Sequence, residues 1–524
     1  MTKSKSLVLG GLILLLAAVL RLPNVWAAYP YTAYVDEGNY LWTARFLYGR
    51  GGWDPQSYMY PSLPIYAAVA AAGAADLVRA ARGLPLIRAG AAAPYGGNYD
   101  PFDPPEFLLA ARVACFLAAL GVVGLTGWLA QRWRGPAAGL FAALIAALTP
   151  ALIARGGIAI VDVWSALFVT ACLVASDRLY DADGKRTRTV LLAGFLAGCA
   201  GASKYQAALV ACVPLLAIVV TRRGRAEAAR QLATLGLGAL VGAFLAMPAL
   251  WLRMGAVLQA LRTQAGLYST LPWTHGYLRQ AVVRMEEDLP FEAAELGWVF
   301  SLLFVAGLGL ALWDRRLHLR VAGPALFLLL LLAVQLRFDY QPFRNLLPLV
   351  PLAAAFAALP LAALRERLSP RLALDIALTG LLLATMLPTA YTMARQRRDL
   401  VDSRVEARRW LATHMRPRDR VLVLEELRFL PQELAKLTAR VRIVDRPTAL
   451  TLARRGRFRF FVIGDPAPIK RLPTGAFAAG RQRYQRRVSF GTEPVPPMGW
   501  WWFGNRVQID VLDRGTRKGG RPRR

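Results

Sequence analysis

Two adjacent carboxylates, Asp36 and Glu37, lie about eleven residues after the first long apolar run of the chain. That run, residues 6–25, is long enough to span a membrane, so both side chains should lie near the lipid headgroups. A carboxylate held there can accept a proton from an alcohol and act as a general base. The pair also suits a helix start, with Asp36 as the N-cap and Glu37 favoured by the helix dipole. The two interpretations can coexist, because a helix cap is also a fixed position.

Isolated basic residues form a second group with chemical potential. They occur in short turns between apolar runs, at Arg155, Lys204, Arg337 and Arg344. Asp162 lies near Arg155 and begins an apolar run, where a carboxylate is costly and is usually functional or paired. Because Arg and Lys bind phosphate through charge-assisted hydrogen bonds, the group predicts an anion site, with a lipid-linked phosphate as the obvious candidate. The alternative is that each charge only reaches from a helix end to the membrane surface.

Other chemistries have no support in the sequence. The three histidines are far apart, which excludes an HExxH-type zinc motif, and neither a Walker loop nor a GxGxxG motif occurs. ATP-driven and nicotinamide chemistry are therefore unsupported. The four cysteines lie in apolar runs without CxxC spacing and are predicted to be packing residues: Cys115, Cys172, Cys199 and Cys212.

The composition indicates a membrane protein. Of 524 residues, 56% are hydrophobic and 19% are charged, against about 45–50% and about 25% in soluble domains. The net charge of +31 is spread in short clusters between apolar runs. A nucleic-acid surface would instead have one basic patch with interleaved aromatic residues, so no nucleic-acid partner is predicted. Only residues 514–524 form a like-charge run, which is typical of a disordered or headgroup-contacting tail.

Eleven apolar runs are predicted to be transmembrane helices. The first is expected to be an uncleaved signal anchor. Two short runs, 189–203 and 205–221, meet at Ser203-Lys204. The complete set covers residues 6–25, 107–130, 136–153, 157–177, 189–203, 205–221, 231–252, 296–313, 321–336, 345–364 and 372–392.

The distribution of basic residues predicts the orientation of these helices. With the N-terminus in the cytoplasm, the inside segments carry 18 Lys and Arg, whereas the short outside loops carry only the four named above. Positive residues accumulate on the cytoplasmic side, so this arrangement predicts a multi-pass protein of the plasma (inner) membrane. Three longer hydrophilic stretches then lie outside, at 26–106, 253–295 and 393–524.

Local patterns give the outer stretches some structure. Residues 40–48 should form an apolar helical face along the membrane surface, and the prolines at 61–64 and 101–105 should prevent long helices in the first stretch. Residues 393–513 should form an extracytoplasmic α/β domain with a helix at 403–415. Its strands are predicted at 420–425, 440–444, 457–463 and 506–512.

Six motifs in order, over about residues 1–392, resemble the polyprenyl-phosphate-sugar-dependent glycosyltransferases of the GT-C superfamily. The similarity is greatest to the protein O-mannosyltransferases and lipid A aminoarabinose transferases. Two positions depart from the family pattern: Ser62 replaces a proline of its PPLY-type stretch, and Asn345 replaces an aromatic residue of R-Y-L-L-P-x-x-P. The motifs are Asp36-Glu37, Tyr60 to Tyr66, Ala111-Arg112-Val113, Thr149 to Asp162, Ser203-Lys204-Tyr205 and Arg344 to Pro351.

The resemblance implies a GT-C-like membrane protein that transfers one sugar, with inversion, from polyprenyl phosphate to an acceptor hydroxyl on a protein, lipid or glycan. Asp36 would be the general base, Glu37 would position the acceptor, and Asp162 would orient a cation or hydroxyl. The leaving phosphate would be neutralised by Arg155, Lys204 and Arg344. Residues implied to position donor or acceptor are Tyr60, Tyr66, Arg112, His275 and Tyr340. Relatives differ in metal dependence, so a divalent cation, Mg²⁺ or Mn²⁺, stays open as a cofactor.

Three other functions compete with this interpretation. A transporter or lipid flippase should have charges near the bilayer midplane, whereas here the charges cluster at the outer rim. A binding module with a membrane anchor would not need eleven spans. Within the enzyme class, a lipid-linked glycan ligase or block transferase is the alternative to single-sugar transfer.

Overall fold

The computed structural model divides the chain into two compact units. The membrane unit comprises Met1–Trp26, Tyr40–Tyr95 and Glu106–Arg398, and the C-terminal unit comprises Ala27–Asn39, Gly96–Pro105 and Asp399–Arg524. The structure describes residues 3–90, 104–181, 186–221, 224–267, 297–335, 343–368 and 371–427, and shorter stretches between 429 and 513. The predicted site residues His275, Arg337 and Tyr340, and the basic tail 514–524, lie outside the described residues.

Helices dominate the described part of residues 1–398. The first eight are α1 (Lys3–Trp26), α2 (Val35–Arg50), α3 (Ser62–Ala81), α4 (Ile87–Gly90), α5 (Glu106–Leu148), α6 (Pro150–Arg155), α7 (Val161–Asp177) and α8 (Arg186–Ser203). The next eight are α9 (Cys212–Thr221), α10 (Arg225–Ala246), α11 (Ala249–Leu252), α12 (Met254–Leu267), α13 (Trp298–Trp313), α14 (His318–Gln335), α15 (Val350–Arg367) and α16 (Arg371–Arg398). Short 3₁₀ helices cover Arg178–Tyr180, Tyr205–Ala211 and Phe343–Leu349.

Eight helices in the described part of the chain are long and apolar enough to cross a membrane, and two shorter apolar helices cover Tyr205–Thr221 and Trp298–Trp313. The polytopic helical fold predicted from the sequence is thus confirmed. The predicted runs 107–130 and 136–153 differ from the structure in detail, because most of both lies in α5. This helix is interrupted at Arg134 and Gly135, where Gly135 has a φ of 80°.

The prediction that prolines prevent a long helix after residue 61 was wrong. Helix α3 runs for 20 residues, and Pro64 lies in its first turn. At that position the backbone N–H would have no acceptor within the helix, so its absence costs nothing, and the fixed φ of proline suits a helix start. The apolar face of α2 also differs from its prediction. Tyr40, Leu41 and Ala44 are buried inside the protein rather than lying along the membrane surface.

Close packing of α8 against α10 fixes one helix that carries a predicted site residue at its end. Glycines spaced four apart line both helices, at Gly194 and Gly198 and at Gly238 and Gly242. A Cβ atom on Gly194 would lie 2.2 Å from the Leu235 carbonyl oxygen, so only glycine permits this approach. Such small residues let membrane helices approach closely enough for extensive backbone contact. The contact holds the C-terminal end of α8, after which Lys204 follows.

The C-terminal unit contains a five-stranded sheet and the helix α17 (Ser403–His414). The strands are β1 (Arg420–Leu424), β2 (Arg440–Val444), β3 (Phe460–Asp465), β4 (Arg486–Phe490) and β5 (Gln508–Asp513), in the order β2-β1-β3-β5-β4. Strands β1, β2 and β3 are parallel, and β5 is antiparallel to both β3 and β4. The central strands β1 and β3 are continuous apolar runs, as expected for strands buried on both faces. The small C-terminal sheet expected from the sequence is present, with β4 as an additional strand.

A buried ion pair at the start of α17 contacts segment 27–39 within the C-terminal unit. Asp402 caps α17 by accepting the Arg404 backbone N–H, and its two carboxylate oxygens accept Nε and Nη2 of Arg404 at 2.8 and 2.9 Å. The guanidinium lies 3.6 Å from the ring centroid of Tyr31. The Ala28 backbone N–H also donates to the Leu400 carbonyl oxygen at 2.8 Å. The segment that carries Asp36 is therefore attached to the first helix of this unit.

We expect Arg404→Lys to destabilise the C-terminal unit, because an ammonium cannot reproduce the two-pronged contact with Asp402 or stack flat on Tyr31. Arg404→Ala should cost more, about 3–5 kcal/mol, because it leaves the buried Asp402 carboxylate without its cation. Limited proteolysis and thermal melting of the full chain measure both effects. The control is Arg409→Lys, at an exposed position of the same helix. Equal stability of Arg404→Lys and Arg409→Lys would contradict the structural role of the pair.

Candidate functional site

Three helix ends of the membrane unit place an acid, a cation and an amide in direct contact. Asp162 lies in the first turn of α7 and is 2% exposed. Lys204 follows α8, and its Nζ donates to Oδ1 of Asp162 at 2.5 Å and to Oδ1 of Asn345 at 2.7 Å. Asn345 belongs to the 3₁₀ helix Phe343–Leu349. The structure thus brings together two predicted site residues, Asp162 and Lys204, and adds Asn345.

The backbone of Lys204 is extended and forms its own hydrogen bonds. Lys204 has an extended conformation, with φ −156° and ψ 123°, between the last residue of α8 and the first of the 3₁₀ helix Tyr205–Ala211. Its N–H donates to the Ala200 carbonyl at 3.0 Å, and its carbonyl accepts the Ala207 N–H at 2.8 Å. Both backbone groups of Lys204 are therefore satisfied. The ammonium group is therefore available to bond Asp162 and Asn345.

The donor and acceptor rules fix the orientation of the Asn345 amide. An ammonium group only donates hydrogen bonds, so the atom of Asn345 that faces Lys204 must be the amide oxygen. The Nδ2 group then points away from Lys204, and it is buried without a hydrogen-bond partner among the described residues. Leaving a buried donor unsatisfied costs about 1–3 kcal/mol. Such a donor beside a lysine with a third N–H is suited to bind an anionic or hydroxyl oxygen.

Sequence reasoning did not select Asn345 as a site residue. The only sequence signal was that Asn345 replaces an aromatic residue of the R-Y-L-L-P-x-x-P pattern. In the structure, this asparagine accepts a hydrogen bond from Lys204.

The neighbouring Arg344 is half-buried. Arg155 is almost fully buried at the end of α6, and its Nη1 donates to the Ala151 carbonyl of the same helix at 3.0 Å. The phosphate-binding roles of Arg155 and Arg344 stay predictions.

Asp36 and Glu37 lie in the first turn of α2, in a segment assigned to the C-terminal unit. Because α2 begins at Val35, Asp36 is within the helix, and its expected role as the N-cap was wrong. Asp36 is half-buried, and its Oδ1 accepts Nδ2 of Asn39 at 3.2 Å. Glu37 is fully buried and holds the preceding turn, because its Oε2 accepts the backbone N–H groups of Ala33 at 2.7 Å and Tyr34 at 3.3 Å. Asp36 is therefore the more accessible of the two carboxylates.

The remaining described residues of the predicted site have mainly structural contacts. The Tyr60 ring lies 6.3 Å from that of Tyr40. The Tyr66 hydroxyl donates to the Trp53 carbonyl at 2.6 Å. Arg112 is fully buried, and its Nη1 donates to the Val25 carbonyl near the end of α1 at 3.2 Å. Their roles in positioning a donor or acceptor stay predictions.

A metal site was left open by the sequence. Within the described part of the chain, no group of three or more His, Cys, Asp or Glu residues is arranged to hold a metal ion. The Asp162 carboxylate already has a cation, because Lys204 contacts it directly. The described residues therefore contain no preformed metal cage, and the use of Mg²⁺ or Mn²⁺ stays open.

Comparison with known proteins finds similarity to glycosyltransferases in one segment of the chain and in its fold. Residues 94–261 match the family described as dolichyl-phosphate-mannose-protein mannosyltransferase. One similar solved structure is ArnT from Cupriavidus metallidurans with undecaprenyl phosphate bound. The two sequences are 14% identical and the TM-score is 0.51. The superposition covers 97% of this chain and 98% of ArnT. No curated protein sequence matches the chain significantly.

Two other solved structures are less similar. The oligosaccharyltransferase of Archaeoglobus fulgidus is 13% identical, with a TM-score of 0.49 covering 88% of this chain and 70% of that chain. The Pmt1-Pmt2 protein O-mannosyltransferase complex of S. cerevisiae is 16% identical, with a TM-score of 0.39 covering 49% and 35%. The resemblance to GT-C glycosyltransferases expected from the motifs is confirmed by the matching family segment and by the fold shared with ArnT.

The contact between Lys204 and Asp162 makes a testable contribution to stability. We expect Lys204→Met to lower the melting temperature, because removing one partner of a buried pair leaves a carboxylate without compensation, at a cost of about 3–5 kcal/mol. The double variant Lys204→Met with Asp162→Asn should recover part of the loss, since no buried charge is then left. Melting in detergent measures this, with the exposed Arg367→Met as the control. Equal losses in the single and double variants would show that packing, rather than charge, is responsible.

Proposed function

We propose that this protein is an integral-membrane glycosyltransferase that transfers a single sugar from a polyprenyl-phosphate donor to an acceptor hydroxyl, with inversion at the anomeric carbon. The acceptor is a protein, lipid or glycan. The proposal extends the glycosyltransferase assignment that the family segment and the fold support.

The observation that carries the proposal is the Lys204 ammonium, which is held between Asp162 and Asn345 at a helix end. One N–H of Lys204 and the Nδ2 group of Asn345 remain for a ligand within the described residues. Charge-assisted donors of this kind stabilise a phosphate oxygen strongly. Arg344, next to Asn345, adds positive charge. In ArnT, the structural neighbour, undecaprenyl phosphate is the bound molecule, which supports a lipid phosphate as the ligand.

Transfer from such a donor requires two things of the protein, stabilisation of the leaving phosphate and an acceptor for one proton. Polyprenyl phosphate is a good leaving group once its developing charge is stabilised, so fixed cations supply the largest contribution to catalysis. The acceptor hydroxyl must lose its proton as its oxygen attacks the anomeric carbon, and Asp36 would accept that proton. The hydrogen bond from Asn39 orients the Asp36 carboxylate, and the buried Glu37 fixes the turn that precedes it. Attack on the face opposite the departing phosphate inverts the configuration.

We further propose that the reaction takes place at the outer face of the plasma (inner) membrane. The proposal rests on the 18 basic residues of the predicted inside segments against four in the short outside loops. Helix α3 is an additional candidate span within the stretch that is predicted to lie outside. Reporters on both sides of α3 are therefore needed to show whether it crosses the membrane.

Reporter fusions test this orientation. Fusions at residues 178–188 and 222–230 should be active in the cytoplasm, and a fusion after residue 398 should be active outside, because basic loops are retained inside. A fusion within residues 51–61, compared with one at 82–86, shows whether α3 crosses the membrane. A cytoplasmic signal after residue 398 would contradict an outer active site.

A panel of polyprenyl-phosphate sugars tests the activity itself. We expect the purified protein in nanodiscs to hydrolyse or transfer one of them, detected by mass spectrometry. Asp36→Asn should reduce turnover at least about a hundredfold, because general-base catalysis typically contributes about 10²–10⁴-fold. Its melting temperature should change little, because Asn keeps the shape and the acceptor oxygen. The matched control is Asp314→Asn, at a carboxylate between α13 and α14 that accepts the Arg316 backbone N–H at 2.9 Å, which should keep normal turnover.

Near-normal turnover in Asp36→Asn would remove Asp36 from the mechanism. Transfer of a preassembled glycan, with no use of single-sugar donors, would instead identify a block transferase. Absence of activity with every donor, although polyprenyl phosphate moves between leaflets in the presence of the protein, would identify a flippase.

A further inference from the structure

A second concave site lies in the membrane unit, and neither Lys204 nor its two partners line it. It has a volume of about 360 Å³. Two of its walls come from distant parts of the sequence, the loop after α2 and the turn around α11. Its lining residues are Trp53, Asp54, Pro248, Ala249, Leu252 and Arg253. None of these was selected from the sequence, and we call this site the Trp53 pocket.

The Trp53 side chain is held by Tyr66, and most of its surface is not covered by protein. The residue is 75% exposed. Its backbone carbonyl accepts the Tyr66 hydroxyl at 2.6 Å, and the Tyr66 ring packs edge-on against the indole at 6.4 Å between centroids. A preorganised aromatic surface loses little conformational freedom when a ligand covers it. Tyr66, selected from the sequence as a positioning residue, therefore acts on Trp53.

A fixed carboxylate lies next to this indole. Asp54 accepts the Tyr58 hydroxyl at 2.6 Å and the Gln56 backbone N–H at 3.0 Å, and Nε of Arg253 lies 3.5 Å from its Oδ2. Partial burial alone would raise the pKa of Asp54, but the bonds from Tyr58 and Gln56, together with Arg253, lower it below the ordinary value. Burial and the bond to Asp54 raise the pKa of Tyr58 to about 12. Asp54 is thus an ionised acceptor at neutral pH.

The indole of Trp53, the carboxylate of Asp54 and the guanidinium of Arg253 together restrict which class of ligand can bind. An aromatic face carries partial negative charge and attracts the C–H groups of a saturated ring. Asp54 provides an acceptor for hydroxyl protons, and the exposed guanidinium of Arg253 provides donors for hydroxyl oxygens. A simple anion is disfavoured because Arg253 is already paired with Asp54. A pyranose ring has both the C–H face and the adjacent hydroxyls that this pocket matches.

One hydrogen bond from a side chain to the backbone links the loop of the pocket to the residue after Lys204. The Tyr205 hydroxyl donates to the Tyr58 carbonyl at 2.9 Å, and Tyr205 directly follows Lys204 in the chain. Below the pocket, Tyr58, Met247, Ala249 and Val257 belong to one buried apolar cluster. The pocket therefore rests on a packed base rather than on a free loop.

We propose that the Trp53 pocket is a carbohydrate subsite that stacks a pyranosyl ring on Trp53 and bonds its hydroxyls through Asp54 and Arg253. The proposal rests on the proposed glycosyl transfer for its biological meaning. The pyranosyl ring belongs either to the donor sugar or to a glycan on the acceptor.

Saturation-transfer difference NMR with the full chain in nanodiscs tests binding without requiring activity. The probes are methyl glycosides of mannose, glucose, galactose and arabinopyranose. We expect saturation transfer from the wild-type protein to the ring C–H protons of at least one glycoside, and its loss in Trp53→Ala. The matched control is Trp313→Ala, which removes an indole that is 87% exposed but does not line the pocket. Trp53→Phe should keep part of the signal, because an aromatic face remains.

Kinetic measurements then distinguish the two sources of the sugar. If the pocket holds the donor sugar, Trp53→Ala raises the apparent KM for the sugar-bearing donor and leaves the affinity for polyprenyl phosphate unchanged. If it holds an acceptor glycan, only the apparent KM for the acceptor rises. Either result supports the subsite.

The subsite and the proposed function can fail separately. No saturation transfer with any glycoside, or an equal signal in wild type and Trp53→Ala, would overturn the subsite. Trp53 would then be an interfacial anchor, a common role of exposed tryptophan in membrane proteins. Transfer activity that persists with this negative result would leave the function intact. Glycoside binding that depends on Trp53, without activity toward any polyprenyl-phosphate sugar, would support the subsite and contradict the transferase.

Discussion

A lysine ammonium held between two oxygens on separate helix ends is the interaction on which the proposed site depends. Lys204 would be costly to bury alone, and the Asp162 carboxylate offsets that cost at 2.5 Å. The glycine contacts of α8 with α10 fix the backbone from which Lys204 projects. Asn345 accepts the second bond and keeps its own N–H groups turned away from Lys204. The Asp162 carboxylate balances the charge of Lys204, so no isolated charge is buried. An N–H of Lys204 and the Nδ2 group of Asn345 are then available to bind an anion.

The carboxylate proposed as the base depends on a different framework. Asp36 lies in a segment of the C-terminal unit, in which Arg404 binds Asp402 and stacks on Tyr31. Within that unit, the segment before α2 is thus attached to the α/β domain through stacking and a backbone hydrogen bond. The C-terminal unit therefore contacts the segment that precedes Asp36 at Tyr31 and Ala28.

Much of this architecture could be predicted because membrane insertion imposes strong rules on sequence. Long apolar runs indicated most of the spans. Charges at the ends of those runs singled out Lys204 and Asp162, which the structure places in contact. Helix α3 was missed because its alanine-rich sequence begins with prolines, whose effect depends on whether they fall in the first turn. Strand β4 was missed because two of its five residues are arginines, which an edge strand tolerates. Asn345 and the Trp53 pocket depend on contacts between residues far apart in sequence, which no local pattern encodes.

The central claim is that the group around Lys204 recognises the phosphate of a polyprenyl lipid, and a paired binding measurement tests it most directly. Melting of the protein in nanodiscs is followed with added polyprenyl phosphate and, separately, with polyprenol of the same chain length. A ligand that binds only the folded state raises the melting temperature. The account predicts that polyprenyl phosphate raises the melting temperature of the wild type and that polyprenol does not, and that Lys204→Met with Asp162→Asn abolishes the difference. Equal stabilisation by both lipids, or a difference that persists in the double variant, would contradict it.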